Sequence, residues 1–263
     1  AESIESIVRQ TYPLLEIVIC DDASTDETPR IAAELAGGDP RIRVIRADAS
    51  TGHAFAASNW AISATRGDYV ALYHADDLYD PSIVEREAAF LDSTPLAGAV
   101  FALPRFIDAA GQSRGMLELP PEIRGVTTFD CATLTNTFLR YKNVVLSAPS
   151  AMLRRSAFDN AGGFDQQSYG AQADGDLWLR LAYAGKIGLI HEHLLSYRFH
   201  PGQWSRKFQD LRTIREPFFR LMDHHLSRPG VRETVNPSAL DHYRMWEAKD
   251  ETERAANALV LGD

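Results

Sequence analysis

Three acidic clusters and one histidine segment carry the chemistry this sequence offers. Asp76 and Asp77 stand just beyond the apolar run Tyr69-Val70-Ala71-Leu72-Tyr73. Adjacent carboxylates there are costly unless a cation or hydrogen-bond donors neutralise them. Hard Mg²⁺ and Mn²⁺ ions take oxygen ligands of this kind, and a metal so held bridges nucleotide phosphates. The plainer reading is a solvated loop in which an Asp caps the next helix, the commoner fate of a bare Asp-Asp pair. A second acidic turn, Asp21-Asp22-Ala23-Ser24-Thr25-Asp26, follows the run Glu16-Ile17-Val18-Ile19-Cys20. One of its carboxylates suits a nucleobase N–H or a ribose hydroxyl, because a carboxylate accepts and cannot donate. Asp26 serves equally well as a helix cap.

The third cluster is Asp174-Gly175-Asp176-Leu177-Trp178-Leu179-Arg180. Leu177, Trp178 and Leu181 share one helical face and belong in a core. Asp174 falls at the helix start, where the dipole favours an anion. It is either a cap or a general base presented at the mouth of a cleft. Finally, Tyr197-Arg198-Phe199-His200-Pro201-Gly202-Gln203-Trp204-Ser205-Arg206 ends an extended segment. His200 is a candidate metal or phosphate ligand, and Arg206 a clamp for an anionic oxygen. On spacing alone, surface roles outweigh both.

The elements that must position these groups alternate. Helical spacing over 3–11 leads to a strand at 16–20, a helix at 27–36 stopped by Gly37-Gly38, and a strand at 42–45. An Ala-rich helix at 53–65, a strand at 69–73 and a helix at 81–92 opened by Pro81 follow. Short connections between strands and helices imply a parallel sheet covered on both faces. In such sheets ligands bind at the carboxyl ends of strands, the edge where both acidic turns fall. Beyond it the pattern predicts strands at 97–103, 150–153, 186–190 and 194–199 and helices at 130–140 and 174–184. A charged helical tail, broken near Pro229-Gly230 and Pro237, completes the chain.

Composition narrows the function classes. With 263 residues and 45% hydrophobic content the chain can bury a large core. A net charge of −9 argues against nucleic acid as a partner. No apolar run approaches the ~18 residues of a membrane span. The opening Ala1-Glu2-Ser3-Ile4-Glu5 has no basic start and no apolar core of a leader. Cys20 and Cys131 lack partners at metal-ligand spacing, which fits a reducing, cytoplasmic setting.

In this order, the motifs resemble those of family 2 glycosyltransferases of the GT-A fold. Ser6-Ile7-Val8-Arg9-Gln10-Thr11-Tyr12-Pro13 with Glu16 to Asp26 is similar to the family's uridine-site block, and His74-Ala75-Asp76-Asp77 to its DxD metal motif. Gly162-Gly163-Phe164-Asp165 resembles the turn before the acceptor region. Asp174 to Arg180 resembles the block of the catalytic base, and Tyr197 to Pro201 with Ser205 the segment closing over the diphosphate. The resemblance implies a nucleotide-binding, Rossmann-like mixed sheet flanked by helices over 1–206, with a helical C-terminal extension at 207–263. It implies inverting transfer of a sugar from a UDP or dTDP donor to an acceptor hydroxyl, in cell-envelope polysaccharide or glycan synthesis. Asp174 would be the base. Asp21, Asp22, Ser24, Asn59, Asp76 and Arg206 would bind the donor. Asp76, Asp77 and His200 would hold Mn²⁺ or Mg²⁺. A saccharide or lipid-linked saccharide acceptor, peripheral contact at the inner face of the cell membrane and a homodimer are its expected partnerships.

The chain departs from the family pattern in three places. The apolar strand that usually opens such domains, in mid-sheet, is absent before residue 3. His74 stands where an acidic residue is common, and Ala173 where Glu often precedes the base, which keeps Asp176 as the alternative to Asp174. These departures motivate a competing reading, a module that binds a nucleotide sugar without turning it over. A phosphoacceptor domain built on Asp21-Asp22 is a third reading, but it leaves the Asp174 and His200 blocks unexplained.

Overall fold

The structure is a computed structural model that describes residues 2–203 and 212–262. After helix α1 (Glu2–Val8), the β-branched run predicted as a strand forms β1 (Ile17–Asp21). Helix α2 (Thr28–Gly38), with Pro29 in its first turn, crosses back to β2 (Ile42–Arg46). The two strands pair in parallel, Ile17 opposite Ile42 and Asp21 opposite Arg46. Helix α3 (Ala54–Ser63) begins at His53, whose ring nitrogen accepts the Phe55 N–H at 3.3 Å.

The main sheet contains β3 (Tyr69–Leu72), β4 (Leu78–Tyr79), β5 (Ala97–Asp108), β6 (Ser113–Met116), β7 (Thr128–Phe129), β8 (Ala151–Arg154) and β9 (Lys186–Phe199). Its order is β3-β8-β5-β9-β4, with β6 on β5 and β7 on β9. Within it, among the described residues, β5 and β9 run parallel, and the β3–β8, β5–β8 and β4–β9 pairs are antiparallel. The mixed sheet that the resemblance implies is what forms, and the parallel pairing suggested by strand–helix alternation holds for β1–β2 and β5–β9 but not for the other pairs. The reason lies in the excursion after β5. The chain turns through β6, β7 and helix α5 (Cys131–Tyr141) and re-enters beside the middle of β5, Ala151 opposite Phe101, then runs back toward the amino end of β5 with Leu153 opposite Ala99, so β8 is antiparallel to it. Among the described residues no ladder joins β1 to β3, and the β1–β2 pair forms a sheet of its own. The two extended segments expected at 186–190 and 194–199 are one strand with register shifts against β5.

Helices α4 (Ile83–Ser93), α6 (Arg155–Ala161) and α8 (Ala173–Ala184) cover the main sheet, and α7 (Gln166–Tyr169) packs against α8. Leu177, Trp178 and Leu181 of α8 are buried as predicted, and Phe101 meets the Trp178 ring edge-on at 4.8 Å between centroids. The tail forms α9 (Pro217–Leu226) and α10 (Pro237–Leu261). Phe218, Phe219, Leu221, Met222, Ala239 and Tyr243 join the same core as Phe101 and Trp178. The extension is thus packed into the body of the molecule. The expected boundary at 206/207 lies outside the described residues. No helix among those described is long and apolar enough to cross a membrane.

Candidate active site

The turn after β3 gathers His74, Asp76 and Asp77, whose ligand atoms lie within 4.8 Å of one another. Tyr79 fixes this turn: its hydroxyl accepts the His74 N–H at 2.6 Å and donates to the His74 carbonyl. Asp77 is almost fully buried. One of its oxygens accepts the Arg198 N–H at 2.8 Å; the other, Oδ2, is buried without a hydrogen-bond partner. Burial lifts the Asp77 carboxyl to about 7, against the pull of the Arg198 N–H. Burial lowers His74, which leaves a neutral imidazole, the form that ligates metals. His200, at the end of β9, comes within 3.1 Å of Asp76 Oδ2 through Nε2. The donor set of two carboxylates and imidazole, with one orphaned buried oxygen, fits a divalent cation.

Arg198 staples this turn to its surroundings. Its guanidinium donates to the carbonyls of Asp76 and Ala109 and to Glu2. Ser3 Oγ donates to the His74 carbonyl at 2.8 Å, so α1 also grips the turn.

The turn after β1 is a second cluster. Asp21 is buried, accepts the Ser24 N–H at 3.0 Å through Oδ1 and faces Arg46 at 3.2 Å through Oδ2. Ala23 adopts φ +61°, which lets the chain reverse within three residues of the strand. Asp22 points to the loop after β2 and accepts the Thr51 N–H and the Ser50 and Thr51 hydroxyls at 2.7–3.0 Å. Burial raises its pKa, but these three donors outweigh it and hold the carboxylate below its usual range. Asp26 Oδ1 accepts the Thr28 N–H, but the N-cap position of α2 is Glu27, so Asp26 holds the first helical amide from one residue before the cap.

Asn59 on α3 spends both ends of its amide on Phe164, donating to its carbonyl and accepting its N–H. In this structure its work is to clasp the Gly162-Gly163-Phe164-Asp165 turn. Gly163 adopts φ +75°, and a Cβ there would come within 2.8 Å of Asn59 Oδ1.

Asp174 lies in the first turn of α8, partly open to solvent. Its Oδ1 accepts the Gly175 N–H at 2.7 Å and its Oδ2 the Asn143 amide at 3.0 Å. Burial raises its pKa to about 6 against these hydrogen bonds. Asp176 is placed quite differently. It is buried, binds the Arg180 guanidinium through Oδ2 and His225 through Oδ1, and its pKa is lowered because those partners outweigh burial. Of the two, only Asp174 combines solvent access with a raised proton affinity, the combination a general base requires.

The structure therefore brings Asp76, Asp77 and His200 together. It sets Asp21, Asp22 and Ser24 at the end of β1, and places Asp174 alone at the head of α8. Arg206, Ser205 and Trp204 lie outside the described residues. Sequence reasoning treated His74 as a departure, yet its ring belongs to the cluster; a His two residues before Asp76 was the available signal. Asn143 carried no signal, since its partner is 31 residues away.

A model described as Glycosyl transferase family 2 matches residues 1–162. The Bacillus subtilis (strain 168) protein named "Putative glycosyltransferase EpsE" is 28% identical over 96% of this chain and 91% of its own length. Other relatives are longer: a chondroitin synthase of Escherichia coli is 28% identical over 88% of this chain, which spans only 31% of that protein. Among solved structures, S. aureus TarS 1–349 in complex with UDP-GlcNAc has a TM-score of 0.65 at 17% identity, covering 92% of this chain and 67% of that one. The mannosyltransferase PcManGT of Pyrobaculum calidifontis, in complex with GDP-Man and Mn²⁺, has a TM-score of 0.60 at 18% identity, covering 98% and 81%. These likenesses establish the fold.

Proposed function

For a chain that belongs to glycosyl transferase family 2 and has the GT-A fold, we propose inverting transfer of a sugar from a nucleoside-diphosphate donor to an acceptor hydroxyl, with Asp174 as base. The observation that carries this reading is the contrast between Asp174, partly open to solvent and hydrogen-bonded to the neutral donors Gly175 and Asn143, and Asp176, sealed against Arg180 and His225. Asp174 takes the proton from the acceptor hydroxyl. The oxygen attacks the anomeric carbon, the new C–O bond forms, and the bond to the diphosphate breaks on the opposite face. No covalent nucleophile on the protein is needed. A pKa near 6 keeps Asp174 ionised at neutral pH and a stronger base than an ordinary carboxylate.

Asp76 and Asp77, with His74 and His200 beside them, would hold Mn²⁺ or Mg²⁺, whose chemistry is to neutralise charge on the departing diphosphate. The Mn²⁺ in the complex of PcManGT supports that choice. Asp21 and Ser24 are offered for the nucleoside, and Asp22 orders the loop at Ser50 and Thr51 beside them. Asn59 serves the donor site by holding the Gly163-Phe164 turn. UDP-GlcNAc and GDP-Man in the structural neighbours support a nucleotide-sugar donor. The chondroitin synthase relative supports a polysaccharide or other glycan as product, built on a saccharide or lipid-linked acceptor. A raised, accessible carboxylate favours turnover over mere binding, since a binding module has no use for a base.

Isothermal titration with UDP and GDP, with and without Mn²⁺, tests the donor site; metal-dependent binding of one of them is expected. Asp174→Asn should abolish release of nucleoside diphosphate from the donor while leaving donor binding intact. Failure of every nucleoside diphosphate to bind in Mn²⁺, or full turnover by Asp174→Asn, would refute the reading.

A further inference from the structure

The C-terminal helices pack around the segment whose Asn143 side chain donates a hydrogen bond to Asp174 from outside its own helix. Asn143 follows the end of α5 and donates through Nδ2 to Asp174 Oδ2 at 3.0 Å; its own Oδ1 is buried without a partner. The residue before it, Lys142, adopts φ +56° and ψ −160°, a conformation that a side-chain-bearing residue holds only under constraint. The constraint is visible. Lys142 donates its N–H to Phe138 at 2.8 Å, closing α5. Its ammonium pairs with Glu216 and lies 5.6, 5.4 and 5.3 Å from the ring centroids of Phe218, Phe219 and Trp246. Such a seat is stabilised by both charge pairing and the ring quadrupoles.

The seat is itself anchored. Glu216 donates its N–H to the buried Asp250, which also binds Arg212 and Arg254. Trp246 Nε1 donates to the Arg140 carbonyl at 3.0 Å, and Asn136 on α5 exchanges hydrogen bonds with the chain just before α10. Leu221 of α9 and Phe138 of α5 meet at Gly175, where an added Cβ would come within 3.1 Å and 3.4 Å of them. These contacts run from α10 and α9 through Lys142 to Asn143 and end on the Asp174 carboxylate.

We propose that Asn143 is a positioning residue for Asp174 and that the C-terminal helices hold it there through Lys142. The proposal rests on the reading of Asp174 as the base, and it gives the extension a catalytic purpose. The amide donor fixes which way the carboxylate faces and favours its ionised form, since a hydrogen bond to a charged acceptor is stronger than one to a neutral acid. Among the described residues, these charged groups on the surrounding elements have other partners: Arg140 binds Ser238, Arg220 the Ser168 carbonyl and His225 Asp176. Asp176 and Arg180 bind one another, Lys142 binds Glu216, and Asp223 on α9 binds Arg215.

The test is a ¹³C NMR titration of the aspartate carboxyl carbons, with the Asp174 signal assigned by its loss in Asp174→Asn. In Asn143→Leu, which keeps the side chain's size without the donor, the midpoint should rise, with roughly a tenfold gain in proton affinity. Release of UDP from UDP-GlcNAc in Mn²⁺ should fall at least tenfold in kcat, with the donor KM within twofold. Lys142→Met should move the midpoint in the same direction, and Lys142→Arg should restore it. An unchanged midpoint in both Asn143→Leu and Lys142→Met overturns the proposal, whatever the activity. If Asp174→Asn still turns over donor, the base reading fails, while the titration still judges the contact with Asn143.

Discussion

A base that is partly withdrawn from water should weaken the fold it belongs to, and Asp174→Asn measures by how much. The carboxyl's pKa rises from 3.8 to about 6 in the folded protein, chiefly through burial. A folded-state pKa above the unfolded one means that the native state binds the proton more tightly. Below pH ~4 both states are protonated and there is no penalty. As pH rises toward 6 the unfolded chain ionises first, and stability is lost. Above 6 the whole difference, about 2 pKa units, corresponds to ~3 kcal/mol, reduced to ~2 kcal/mol for a side chain partly open to solvent. Asp174→Asn carries no ionisable group and escapes this loss, but it has only one oxygen for the two donors Gly175 and Asn143. That lost bond costs ~1 kcal/mol at every pH. The informative quantity is therefore the change with pH. Relative to the parent, the variant should gain ~2 kcal/mol between pH 4 and pH 8, or about 4–8 °C in Tm for a chain of this size. Urea unfolding at both pH values, in metal-free buffer, reads it directly. A stability difference that is the same at pH 4 and pH 8 would refute the reasoning, because burial of the charge would then not set the proton affinity of Asp174.

Further perturbations follow from the same physics. Asp176→Asn should destabilise the protein by ~3 kcal/mol or more at neutral pH, since it strands Arg180 and His225 without their buried counter-charge; urea denaturation within 1 kcal/mol of the parent would contradict this. Glu87 is fully buried, has one oxygen without a partner, and is raised by burial despite the Tyr73 hydroxyl. Glu87→Gln should therefore raise Tm at pH 8 and lose that advantage at pH 4, as a pair of melting curves will show. Gly163→Ala combines a positive φ with a Cβ 2.8 Å from Asn59 Oδ1, and should cost ~1–3 kcal/mol by urea denaturation; with Asn59→Ala, which loses both bonds to Phe164, the double variant should be less destabilised than the sum of the two single changes.

Much of the site was legible along the chain because its motifs are local. Asp21 to Asp26 and His74 to Asp77 each follow an apolar, β-branched or aromatic strand, and the strand's end dictates where such a turn must fall. Helical spacing likewise fixed Leu177, Trp178 and Leu181 as the buried face of α8, and therefore put Asp174 at its head. Pairwise partnership was not legible, because it depends on which distant segments the sheet brings together. A one-dimensional reading prefers Asp174 as the base but leaves Asp176 as its alternative. Only the arrival of His225 from α9 and Asn143 from the loop after α5 makes one a sealed ion pair and the other a candidate base. The direction of β8 was hidden for the same reason, since local propensity is blind to which edge of the sheet a chain re-enters. The sequence by itself determined most of the longer elements, the acidic turns and the family resemblance, all set by neighbours in the chain. Tertiary structure alone decided which carboxylates are neutralised, which are left orphaned and which keep access to water, because desolvation and charge pairing are properties of what packs around a group in space.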